Sequence, residues 1–120
     1  MSFKIQKTDK YTLVKTGVEK LDTSIAPALK SELVILNSDG VQNIIIDLSS
    51  TRYCDSSGLS AILVANRLCK NAGGSLIITG LQELVKNLIS ISQLDSILNI
   101  ADNLDDSIEL LKEKVTGDEE

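Results

Sequence analysis

Val41-Gln42-Asn43-Ile44-Ile45-Ile46-Asp47-Leu48 runs through Ser49-Ser50-Thr51-Arg52-Tyr53-Cys54 into Asp55-Ser56-Ser57-Gly58-Leu59-Ser60-Ala61-Ile62-Leu63-Val64. The aliphatic run Ile44-Ile45-Ile46 does not alternate with polar residues. A strand apolar at successive positions is covered on both faces, as in the middle of a parallel sheet. The segment Ser49 to Asp55 then reads as a loop. It leads into a helix from about Ser57 to Asn71, since Asp55, Ser56 and Ser57 each offer an oxygen to first-turn amides. Gly73-Gly74 stops that helix.

The flanking segments repeat the pattern. Upstream, Phe3 to Thr8 and Tyr11 to Thr16 alternate apolar and polar residues around an Asp9-Lys10 turn, which predicts an antiparallel hairpin ended by Gly17. Thr23 or Ser24 can cap a helix with Pro27 in its first turn and Leu29, Leu33 and Leu36 on its apolar face. Asn37 to Gly40 is a loop. Downstream, Ser75 to Thr79 is a second buried strand. Leu84, Leu88 and Ile91 mark a third helix at i, i+4, i+7. Ile97 to Ile100 is a short strand, and Leu104 to Val115 a last helix. Asp105 and Asp106 begin that helix and Lys112 and Lys114 end it, as the helix dipole prefers. The expected architecture is α/β: one domain over residues 1–115, with a mixed, mostly parallel sheet, an N-terminal hairpin and about four helices. Thr116 to Glu120 reads as a short acidic tail.

Composition narrows the function. The 120 residues are 42% hydrophobic and 24% charged, so the chain can bury a core, but aromatics are only Phe3, Tyr11 and Tyr53. Histidine is absent, which excludes Ser-His-Asp and Cys-His catalysis, His-ligated metal and His phosphotransfer. Cys54 and Cys69 form no CxxC pair and cannot supply the four ligands of a structural zinc. They read as buried thiols of a reducing compartment. A net charge of −5 with three scattered aromatics argues against nucleic acid. No apolar run approaches the ~20 residues of a membrane span, and no signal-peptide core follows Met1. A cytoplasmic protein without cofactor or metal is expected.

Asp55-Ser56-Ser57-Gly58 carries the chemistry. By itself it is a helix cap, with Gly58 permitting close approach of backbone or of a partner. The same free amides and dipole tolerate a phosphate. Its setting is more specific: Ile46-Asp47-Leu48 precedes it, Leu59 follows it, and Leu21-Asp22-Thr23 stands between the hairpin and the first helix. Together these residues resemble the STAS domain family of bacterial anti-sigma factor antagonists over nearly the whole chain. Two departures stand out. Val18-Glu19-Lys20-Leu21-Asp22 carries an inserted Lys20 against the family's usual Gly-Glu-Leu-Asp, and Cys54 replaces a larger apolar residue.

The resemblance implies a regulatory ligand, not an enzyme. In the family the serine after the motif's aspartate, here Ser56, is phosphorylated by an anti-sigma factor that is itself a kinase. The unphosphorylated domain binds that kinase, which releases its sigma factor. Phosphorylation ends the binding, and a phosphatase resets it. ATP would belong to the kinase. Ser57 is the alternative acceptor.

Contacts to the partner are expected around the motif at Asp22, Thr23, Asp55, Ser57 and Gly58. Along the helix, Leu59, Ile62, Leu63 and Cys69 can line a buried face. Ser60, Val64 and Arg67 then fall opposite at i, i+4, i+7, with Val64 facing solvent as a further partner contact. An alternative keeps the fold without the switch: a STAS module in a stress-signalling, transporter or lipid-transport complex. A receiver-type phosphoaspartate at Asp47 is disfavoured. The first turn offers only Asp9-Lys10 for a metal, and Ala101-Asp102-Asn103 follows the last strand where a lysine is needed. Serine hydrolysis lacks both a histidine and a Gly-x-Ser-x-Gly elbow.

Overall fold

The computed structural model describes residues 3–118 and, from Phe3, side-chain surroundings through Lys114. The hairpin forms as expected: β1 (Phe3–Lys7) lies antiparallel to β2 (Thr12–Thr16), with Phe3 opposite Thr16. Thr8 ties the turn, its hydroxyl donating to the Tyr11 carbonyl at 2.8 Å and accepting from the Tyr11 amide at 3.1 Å. The remaining strands of this sheet are parallel. β4 (Ile44–Asp47) pairs with β2 and with β6 (Leu76–Thr79), which pairs in turn with β7 (Asn99–Ala101), giving the order β1-β2-β4-β6-β7.

The isoleucine run is explained by helices on both faces of the sheet. Ile44, Ile46, Leu76 and Ile78 point into the larger core, with α1 (Ala26–Ser38), α2 (Ser56–Asn71) and α3 (Glu83–Ile91). Ile45 and Ile77 point the other way, onto Leu111 of α4 (Leu104–Asp118). Each of these isoleucines is fully or almost fully buried. Burying one such side chain contributes roughly 1.5–3 kcal/mol, so this strand pair is the energetic centre of the fold. At the end of α2, Gly73 takes φ +85°, a left-handed turn that stops the helix without the strain a side chain would bring.

Five local expectations need correction. A second sheet, β3 (Lys20–Leu21) parallel to β5 (Tyr53–Cys54), occupies segments expected to be loop. Each strand has two residues, too few for alternation to show. Secondly, neither Thr23 nor Ser24 caps α1. Ile25 holds that position without a side-chain bond. Asp22 organises the entry instead: its carboxylate accepts from the Ser24 amide at 3.0 Å and the Ser24 hydroxyl at 2.7 Å, while its carbonyl accepts from Ile25 and Ala26.

Thirdly, the buried stripe of α3 is Val85 and Ile89, whereas Leu84 and Ile91 are 64% and 79% exposed. The helix reads ELVKNLISI, and an apolar spacing starts equally well at Leu84 or Val85. Fourthly, Ile97 lies outside β7, following a 3-10 turn at Leu94–Ser96. Lastly, α4 continues past Val115 to Asp118, so Lys112 and Lys114 are not in its last turn. Asp118 of the expected acidic tail therefore ends this helix, and Glu119 and Glu120 lie outside the described residues.

Candidate functional site

The β3–β5 pair brings two distant loops together. The amides of Arg52 and Tyr53 donate to the Glu19 carbonyl at 2.9 and 3.1 Å, and the Asp55 amide reaches the Leu21 carbonyl at 3.3 Å. Beneath them Thr51 is buried, its hydroxyl sharing a 2.9 Å bond with Thr16 and donating to the Val18 carbonyl at 2.8 Å. These ties set Asp22 and Thr23 against the start of α2.

Asp55 is the cap of α2, and one carboxylate oxygen accepts from both the Ser57 amide at 2.9 Å and the Gly58 amide at 3.1 Å. This corrects one expectation about the motif. Those two amides are already bonded to Asp55, so the helix start is not an empty cradle for a phosphate. Asp55→Ala should lower stability by about 1–2 kcal/mol, the usual worth of a cap. Urea unfolding checks this, and an unchanged midpoint would contradict it.

Gly58 is buried. A Cβ there would collide with the Leu21 carbonyl and the Cys54 sulfur. The close approach allowed by this glycine is therefore taken by the chain's own β3 and β5. Cys54 packs into this contact, which suits a small side chain. Burial, with the Asp55 charge beside it, pushes its thiol up to about 11. Burial likewise pushes Cys69 up to about 11, against a hydrogen bond from the Ile44 backbone. Both thiols stay neutral at pH 7, in keeping with structural cysteines.

The two candidate serines now differ. Ser57 is half-buried, and its hydroxyl lies 3.2 Å from that of Thr23. Ser56 is exposed, and its hydroxyl has no hydrogen-bond partner among the described residues. A shallow pocket of about 270 Å³ lies beside it, lined by Thr23, Ala26, Pro27 and Lys30 on one wall and Ser56, Ser57 and Ser60 on the other. Asp22 is half-buried, and its carboxyl sits below the ordinary range, chiefly because the Ser24 hydroxyl donates to it. Further along α2, Ser60 is half-buried and Arg67 exposed. Val64 is half-buried too, not open to solvent as its helical position suggested. The pocket residues missed by sequence reasoning are Ala26, Pro27 and Lys30. A lone lysine one turn into a helix carries no signal of what lies across from it.

The STAS domain family model matches residues 3–107. The chain belongs to the STAS domain family. Curated relatives of this STAS protein include the anti-sigma-B factor antagonist of Staphylococcus aureus, 28% identical over 102 residues, covering 83% of this chain and 94% of the relative. The anti-sigma-B factor antagonist of Bacillus subtilis is 33% identical over 82 residues, covering 68% and 74%. In fold, the STAS chain superposes on an anti-sigma factor antagonist from Mycobacterium paratuberculosis with a TM-score of 0.80 at 21% identity, covering 92% of each chain. It also superposes on the Bacillus cell-fate determinant SpoIIAA in its phosphorylated form, with a TM-score of 0.70 at 18% identity, over 89% of this chain and 96% of that one.

No helix among the described residues is long and apolar enough to cross a membrane.

Proposed function

We propose that this STAS domain is an anti-sigma factor antagonist that binds an anti-sigma factor when Ser56 is unmodified and lets go when Ser56 is phosphorylated. The anti-sigma factor is the kinase and supplies ATP, and a phosphatase restores the hydroxyl. The domain is ligand and substrate in this cycle, and the reacting groups other than Ser56 belong to its partners. Freeing the sigma factor places its effect on transcription.

The observation that carries the reading is the contrast between the two serines. Ser56 presents an exposed, unpartnered hydroxyl at the first position of α2, whereas the Ser57 hydroxyl is engaged with Thr23. A kinase must take the acceptor hydroxyl into its own active site, and only Ser56 can be offered without breaking a bond. Thr23 and Arg67 are exposed around it, and Asp22, Asp55, Ser57, Ser60 and Val64 are half-buried. Gly58 shapes this surface from beneath. Phosphate adds about −1.5 to −2 charges beside Asp55. A surface complementary to a neutral hydroxyl then meets a dianion.

Incubation with the cognate anti-sigma kinase and ATP, followed by mass-spectrometric mapping, tests this. Phosphate is expected on Ser56 and absent from Ser56→Ala. Modification at Ser57 alone, or none at all, would sink the proposal.

A further inference from the structure

We propose that Lys30 is the internal counter-ion of phosphorylated Ser56, clasping the phosphate in the pocket between α1 and α2. The inference rests on Ser56 as the acceptor and says how the fold holds the modified state.

A phosphate at a helix start ordinarily draws on the free first-turn amides. Here the amides of Ser57 and Gly58 already donate to Asp55. The modified serine therefore has a carboxylate neighbour and finds two of the first-turn amides already taken. A dianion beside a carboxylate needs a cation, and like charges so close are costly. Lys30 is the one cationic side chain lining the pocket that Ser56 also lines. It stands on α1 with Pro27 and lines the pocket together with Ser56 and Ser60.

Lys30 is also uncommitted. Among the described residues the ion pairs join Lys7 to Asp39 and Lys112 to Glu109, and no carboxylate lies within pairing distance of Lys30. Lys30 is half-buried, which holds its stem against the fold while the ammonium can turn toward the pocket. On the acidic side, Asp55 stands at the serine itself. Asp22 lies one residue before Thr23, its carboxylate held by Ser24. Lysine suits the task as a compact cation with rotatable donors on a flexible stem. The phosphate is thereby drawn toward α1, and a phosphatase has to take it from Lys30.

The test encodes phosphoserine at position 56 during translation, so that no kinase is needed, and follows the phosphate by 31P NMR titration. Pairing with an ammonium favours the dianion and lowers the second phosphate pKa. With Lys30 present the midpoint should lie about half a unit to one unit below that of Lys30→Met, which keeps the stem and removes the charge. Lys30→Arg should retain the low midpoint. Equal midpoints with and without the Lys30 charge would overturn the proposal. Should Lys30→Met fold poorly, Lys30→Gln gives the same comparison. The two readings fail separately: a kinase that ignores Ser56 removes the acceptor assignment, whereas equal midpoints remove only the role of Lys30.

Discussion

Ser56→Asp is expected to weaken binding to the anti-sigma factor by about a hundredfold or more, while Ser56→Ala binds within about threefold of the unsubstituted chain. The asymmetry follows from the geometry. Among the described residues the Ser56 hydroxyl has no hydrogen-bond partner, so its removal leaves no buried group there unsatisfied. A carboxylate in its place stands next to Asp55 and opposite a surface shaped for a neutral group. Like-charge juxtaposition across an interface costs several kcal/mol, and each 1.4 kcal/mol is about a tenfold loss of affinity. Calorimetric titration of both variants against the partner decides it. Equal affinities for Ser56→Asp and Ser56→Ala would rule out an electrostatic switch at this position.

Gly58→Ala should be the most damaging single-methyl change at the site, costing about 2–3 kcal/mol. The new Cβ would meet the Leu21 carbonyl, the Cys54 sulfur and, at 3.0 Å, the Leu21 side chain. A flexible side chain can turn aside, but the Leu21 carbonyl is backbone, and it already accepts from the Asp55 amide at 3.3 Å. Relief therefore requires α2 to back away from β3, which also separates Thr23 from Ser57. A fall of about 8–15 °C in melting temperature is expected for a domain of this size. Partner affinity should drop with it. A melting temperature within a degree of the parent would show that the helix start accommodates the methyl group.

Much of the fold is legible because burial on two faces leaves a composition that nothing else explains. Ile44-Ile45-Ile46 and Leu76-Ile77-Ile78 each serve two cores, and the βα order follows from them. What stays hidden is decided by groups with no periodic signature. The β3–β5 pair is two residues against two, created by the crossing of two chain segments whose partners, Lys20 with Tyr53 and Leu21 with Cys54, are far apart in sequence. The Asp22 turn displaces the expected caps because its carboxylate reaches the Ser24 amide and hydroxyl first. In α3 the sequence offers two competing apolar stripes, and only packing against the sheet chooses Val85 and Ile89. At the site, the motif offers Ser56 and Ser57 as candidate acceptors, whereas the difference in their surroundings depends on Thr23 arriving from another loop.

That crossing has a consequence for the life of the chain. During synthesis Thr23 emerges long before Ser57 does. The proposed recognition surface is incomplete until β5 has paired with β3 and set Ser57 beside Thr23. A partner that needs both halves is blind to nascent and partly folded copies. In the proposed cycle its binding would therefore count finished molecules, and damage that separates β3 from β5 would lower it.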